Sequence, residues 1–319
     1  MRLSNLIPSI PANVVACLEV QGIRTDTDLL FSTTTFDIYK RLPAGTATLE
    51  ELTEYTTIAA EIGAAPGMSG HELLLLENTY GDVQLRTGNA ELDGLLRGLD
   101  GRWIIELSGD KGSGKSTVAL NLLINHLASN LEDTALWIDT TCDFSPERAT
   151  QFLDATQTLP STLERLQVSL AFDIDTIQGI LETLSRPNDP RARPRFLVID
   201  TITPLLGPLL SAVSAQGHAI MTDFMRQLQT FAQASGTAVF VINNSSRKGR
   251  DTPERKPALG PSFALLTDTT LWLEAKNDNN TEDSTEDNTV HTMQILKSRS
   301  APIGGCCTFR IHGNVICPT

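Results

Sequence analysis

The stretch that most constrains this chain is GDKGSGKST, Gly109 to Thr117. It fits GxxxxGK[ST], a pattern whose glycines let the backbone curl until its N–H groups face phosphate oxygens. The flanks decide between a phosphate loop and a chance glycine turn. The apolar run RWIIELS precedes it, and the amphipathic run STVALNLLINHL follows. Strand, loop and helix in that order present the positive end of the helix to an anion. Gly109, Asp110, Lys111, Gly112, Ser113, Gly114, Lys115, Ser116 and Thr117 are therefore the expected phosphate site. Lys115 should reach the β and γ phosphates and Ser116 should ligate Mg²⁺, so the expected ligands are ATP and magnesium.

Such a unit belongs in an α/β sheet, and the rest of the chain agrees. Further apolar runs are ALWIDT, RLQVSLAF, RFLVIDT, AVFVINN, TLWLEA, TMQILKS and CTFRIHG. Helical patterns fill 115–130, 145–158, 173–186 and 218–235. Runs that are apolar throughout imply strands covered on both faces, hence a mostly parallel central sheet. The last three runs lack intervening helices and are expected as antiparallel additions.

With 319 residues, about two domains are expected. Residues 1–64 read as a small helical domain, with Val14, Val15, Leu18, Ile23, Leu29 and Leu30 as its apolar stripe. Gly22 marks a turn, and Thr48 with Glu51 makes a capping box. Residues 65–82 read as a linker whose patch Leu73–Leu76 packs on its own core or on a partner. The core is then 83–319, interrupted by the acidic, polar stretch 276–289, expected to be a disordered insertion.

Three strand ends carry further candidates. RFLVIDT ends on Asp200, a carboxylate placed to hold magnesium together with Ser116. AVFVINN ends on Asn243 and Asn244, whose amides either sense a γ-phosphate or simply close a strand. Residues 245–256 hold five basic and two acidic side chains. Arg247, Lys248, Arg250, Arg255 and Lys256 face either a nucleic-acid backbone or only solvent.

Net charge is −13, which weighs against tight DNA binding by the chain alone. Five cysteines with no CxxC spacing point to reduced thiols and away from zinc. No apolar run approaches the ~18 residues of a membrane span, and no signal peptide is read at the N-terminus.

Taken in order, RTGNAELDGLLRGLDG, GDKGSGKST, WIDTTCDFSPER, LAFDID, FLVIDTITPLLGPLL, AVFVINN and KPALGPSF resemble RecA-like recombinases. The helical domain in front resembles the eukaryotic and archaeal branch. AFDID, ITPLLGPLL and KPALGPSF look like the D-type paralogue branch of the eukaryotic strand-exchange recombinase, in a fungal version. The resemblance implies a RecA-like P-loop ATPase core. It also implies that 203–217 and 245–260 are DNA-facing loops, and that the protein is nuclear. Its expected partners are single-stranded DNA, held weakly, and other recombinase paralogues of the C-type and the X-ray-repair type.

Two departures qualify that picture. Thr141 stands where the active recombinase carries a glutamate, and a hydroxyl does not activate water as a carboxylate does. Asp143 is the substitute only if its loop turns it inward, so the expected DNA-dependent ATPase is weak. Residues 65–82 contain no phenylalanine for the aromatic-and-alanine segment through which such recombinases build homofilaments. The expected function is an ATP-binding accessory factor of homologous recombination and double-strand-break repair that promotes recombinase filament assembly within a paralogue complex. An autonomous filament-forming recombinase and a nucleotide-independent scaffold are the alternatives.

Overall fold

The computed structural model describes residues 2–64, 67, 69–80, 86–96, 102–156, 160–185, 193–210, 215–248, 254–277 and 289–319. The chain divides into two compact units, Met1–Thr79 and Tyr80–Thr319.

The first unit contains α1 (Ala12–Val20), α2 (Asp26–Phe31), α3 (Thr35–Arg41) and α4 (Leu49–Gly63). Gly22 turns the chain after α1 with φ +83°, a left-handed conformation that favours glycine. Thr25 with Asp28 and Thr48 with Glu51 form reciprocal capping boxes at α2 and α4. Val14, Val15, Leu18, Ile23 and Leu29 are buried with Leu3, Leu6, Ile10, Ile38 and Leu52. α5 (Gly70–Tyr80) forms inside the stretch read as a linker. Ser69 and Glu72 exchange hydrogen bonds at its start, and Leu73, Leu74 and Leu75 are about half exposed on it.

The second unit begins with α6 (Ala90–Leu96), β1 (Ile104–Gly109), α7 (Lys115–Ser129), β2 (Ala135–Asp139) and α8 (Pro146–Thr156). It continues with β3 (Leu166–Leu170), α9 (Ile174–Ser185), β4 (Phe196–Asp200), α10 (Thr203–Leu206), α11 (Ala215–Ser235) and β5 (Ala238–Asn243). A two-stranded ribbon, β6 (Ser245–Arg247) and β7 (Arg255–Pro257), and α12 (Gly260–Ala264) follow. The chain closes with β8 (Thr269–Asn277), β9 (Thr289–Lys297), β10 (Cys306–His312) and β11 (Val315–Pro318).

Nine strands form one sheet in the order β11-β10-β9-β8-β1-β5-β4-β2-β3. β3, β2, β4, β5, β1 and β8 run parallel; β9, β10 and β11 are antiparallel. β8 thus corrects one expectation: it pairs parallel to β1 and only its other edge, toward β9, is antiparallel. The crossover from β5 through the ribbon and α12 is long enough to return the chain in the same direction.

Strand alternation explains the continuous apolar runs. In β4, Phe196 and Val198 enter one core with α7 and α8, while Leu197 and Ile199 enter the other with α9 and α11. Because the six parallel strands point one way, the ends of β1, β2, β4 and β5 share one edge of the sheet. The neighbours β1 and β5 send their connections to opposite sides, β1 to β2 through α7 and β5 to β8 through α12, which is where open α/β sheets place ligands.

Several expectations fall outside the described residues: Arg250, 211–214 of the first DNA-facing loop, and 278–288 of the acidic insertion. All five cysteines are free; Cys306 is exposed and Cys307 buried, as alternation along β10 requires.

Candidate nucleotide-binding site

The loop between β1 and α7 is packed too closely for side chains at two glycines. A Cβ on Gly109 would lie 2.2 Å from the carbonyl oxygen of Leu273. One on Gly114, whose φ is +92°, would lie 2.6 Å from Ile311 Cδ1. His291 on β9 is buried beside it, its Nδ1 3.1 Å from the Ser113 carbonyl oxygen and its ring stacked on Phe309. The antiparallel strands therefore form the wall behind the loop, a contribution that no sequence signal announced.

Lys115 is buried, and its Nζ donates to the carbonyls of Gly109 (3.0 Å) and Asp110 (2.6 Å). Burial holds its pKa below the usual lysine value, while the charges of Asp200 and Asp110 pull it back up. Those donors are the ones an anionic phosphate would take over.

At the end of β4, Asp200 has its pKa pushed up to about 6. Burial is the largest cause; the Ser116 hydroxyl, hydrogen-bonded to it, and Lys115 oppose the rise, while Asp139 and Asp143 add to it. A hydroxyl and a carboxylate meeting beside a phosphate loop are hard oxygen donors of the kind Mg²⁺ accepts with its own waters. The donor set therefore fits the metal, with Ser116 and Asp200 as the residues that would hold it. When bound, magnesium would polarise the phosphate oxygens and neutralise the raised carboxylate.

Asp139 organises the next loop. Its Oδ1 accepts the Thr141 N–H at 2.9 Å and its Oδ2 accepts the Phe144 N–H at 2.9 Å. Thr140 ties this loop to β4: its N–H donates to the Asp200 carbonyl, and its hydroxyl bridges the carbonyl and N–H of Thr201. Thr141 is exposed, and so is Asp143, although the charge of Asp143 is felt by Asp200.

Asn243 departs from its expected role. It is fully buried, and its Nδ2 already donates to Glu106 Oε1 (2.7 Å) and the Ala258 carbonyl (3.0 Å). Its Oδ1 accepts from Thr203 Oγ1 (2.9 Å). With both donors committed, it has none for a γ-phosphate and instead ties Thr203, at the start of one loop region, and Ala258, near the end of the other, to β1. Glu106, which also accepts from Ser108 and Thr270, is the missed partner; a lone carboxylate inside WIIELSG was its only signal. Asn244 is exposed one residue before Ser245, whose hydroxyl donates to Asp110 Oδ1. That leaves Asn244 as the amide at the loop edge.

The basic residues do not act as one group. Arg255 Nε donates to Asp110 Oδ1 at 2.9 Å, and Lys248 pairs with Glu254 at 2.8 Å. Arg247 and Lys256 are exposed, without an ion pair among the described residues.

A family model named Rad51 matches residues 81–279. The chain belongs to the Rad51 family. DNA repair protein RAD51 homolog 4 of Bos taurus is 28% identical over 311 residues, covering 94% of this chain and 92% of that protein. The Mus musculus protein of the same description is 30% identical over 230 residues, covering 69% of this chain and 68% of its own length. A crystal structure of the RadB recombinase shares the fold with TM-score 0.58 at 21% identity, covering 74% of this chain and 99% of that chain.

These matches bear out the resemblance to a paralogue of the eukaryotic recombinase and the RecA-like α/β core. The Rad51 match includes the phosphate loop, Thr141, Asp200 and the β6–β7 ribbon, and ends before His291. The wall formed by β9 and β10 thus lies in the part of this Rad51-family chain beyond the matched residues.

Proposed function

We propose that this Rad51-family chain is an ATP-binding accessory factor in homologous recombination and DNA double-strand-break repair. It acts in the nucleus, within a complex of recombinase paralogues of the C-type and X-ray-repair type, and promotes recombinase filament assembly. The observation that carries the nucleotide half is the convergence of Lys115, Ser116 and Asp200 at the end of the parallel sheet. Lys115 and the loop N–H groups hold the phosphates; Ser116 and Asp200 orient the metal; Asn244 faces the terminal phosphate.

Hydrolysis is slow, because the residue just beyond β2, where the active recombinase carries a glutamate, is Thr141, which has no carboxylate to take a proton from water. Asp143 is exposed rather than turned inward. ATP then works mainly as a clamp between subunits. Two features support a partner-dependent role. β3 ends the sheet, with Val168 and Leu170 exposed on it and Phe172 exposed just beyond it, and a partner's extended segment would add at this edge. The net charge of −13 confines DNA contact to local cations such as Arg247 and Lys256.

The test is phosphate release from the purified chain with Mg-ATP, with and without single-stranded DNA, beside a nucleotide titration and gel filtration. Tight binding, little turnover and no homopolymer are expected. Brisk DNA-stimulated turnover with large homopolymers would establish an autonomous recombinase instead, and failure to bind nucleotide would leave an interaction scaffold.

A further inference from the structure

Asp110 puts a negative charge into the phosphate loop. Its backbone carbonyl accepts Lys115 Nζ, and its carboxylate is near enough to Lys115 for the two charges to act on each other, which puts it beside the place a triphosphate would occupy. Unopposed, it would repel that ligand. Two side chains from the β6–β7 ribbon oppose it, both on Oδ1: the Ser245 hydroxyl and Arg255 Nε. The ribbon register places Arg247 directly across from Arg255, and like charges at that spacing repel. Turning Arg255 onto Asp110 relieves both repulsions with one contact. It also withdraws Arg255 from the set of cations free to meet DNA.

We propose that Arg255 serves the nucleotide site rather than DNA: it neutralises Asp110, so that the loop accepts a triphosphate and the ribbon base stays on the loop while nucleotide is bound. This rests on the nucleotide-binding reading above. By linkage, a bound triphosphate strengthens the Asp110–Arg255 contact by the same factor that the contact strengthens nucleotide binding. Arg247 and Lys256 remain as the ribbon's DNA-facing cations.

A double-mutant cycle on the full chain tests this, read by Mg-ATP titration. Arg255→Gln should weaken binding about 3- to 10-fold, the range for a half-exposed charge pair beside an anion. Asp110→Asn should bind at least as tightly as the parent chain. In that background Arg255→Gln should change affinity by less than about twofold. Arg255→Lys, which keeps the charge without Nε, should recover part of the loss. Single-stranded DNA binding across a salt series supplies the second readout: Arg247→Gln should lower the slope by about one counterion, and Arg255→Gln should leave it unchanged.

An Arg255→Gln chain with full ATP affinity and a shallower DNA salt slope would overturn the proposal, as would equal losses with and without Asp110. If the parent chain takes no nucleotide, the wider reading falls too. If it binds nucleotide but the cycle shows no coupling, this proposal alone falls.

Discussion

The two sides of the nucleotide site are built to different standards. On the phosphate side the charged and metal-facing groups are directed: Lys115 is buried with two carbonyl partners, Ser116 meets Asp200, and glycines stand at two positions, 109 and 114, where a Cβ would collide. On the water side, the loop after β2 is equally well ordered by Asp139 and Thr140, yet it presents only an exposed hydroxyl at Thr141. Order is therefore not what the water side lacks; on the proposed reading it lacks a base. On that reading, binding a triphosphate and splitting it depend on separate parts of this site, and the difference lies in one side-chain type rather than in a collapsed loop.

The largest effect should fall on the phosphate side. Lys115→Ala removes a charged donor to the β and γ phosphates and should weaken Mg-ATP binding on the order of 100-fold or more, about 3 kcal/mol, in a direct titration. Loss of partner association in the same variant would show that the nucleotide acts as a clamp; unchanged association would separate the two. On the water side, Thr141→Glu should raise phosphate release by about 10- to 100-fold without changing ATP affinity, since it adds a base to a loop already held in place. No rise in turnover would mean that the loop, not the residue, is at fault.

The sequence made the phosphate loop, Asp200 and the alternation of strands and helices legible, because each is a local pattern with one geometric reading. Asn243 and Asn244 stayed open between two roles because adjacent strand-end amides look alike in sequence; only the buried carboxylate of Glu106, from another strand, commits one of them to the core. The parallel pairing of β8 was hidden for a similar reason, since the strand lacks a long preceding helix. His291 and the Asp110–Arg255 contact join segments far apart in the chain, and no periodicity or spacing encodes such a meeting.

A smaller effect should appear at Asp200, where the two sides meet. Its folded pKa of about 6 lies above the ordinary 3.8, so the native state binds more protons between those values and loses stability as pH rises through that window. Above pH 6 the buried charge is a standing cost. Asp200→Asn should therefore raise the stability of the nucleotide-free chain at pH 7 by about 1–2 kcal/mol while weakening Mg-ATP binding. In thermal melts the gain over the parent should shrink toward pH 5, and a gain that is the same at both pH values would mean that another group causes it.

Asp143 should give the smallest change, and it is the sharpest check on the comparison. Its charge makes the smallest contribution to the raised pKa of Asp200, and its side chain is exposed. Asp143→Asn should therefore move the pH dependence of Mg-ATP binding slightly downward and alter phosphate release by less than about twofold. If release instead vanished in Asp143→Asn and survived in Thr141→Ala, the exposed carboxylate would be the base after all. The water side would then match the phosphate side in being built for chemistry.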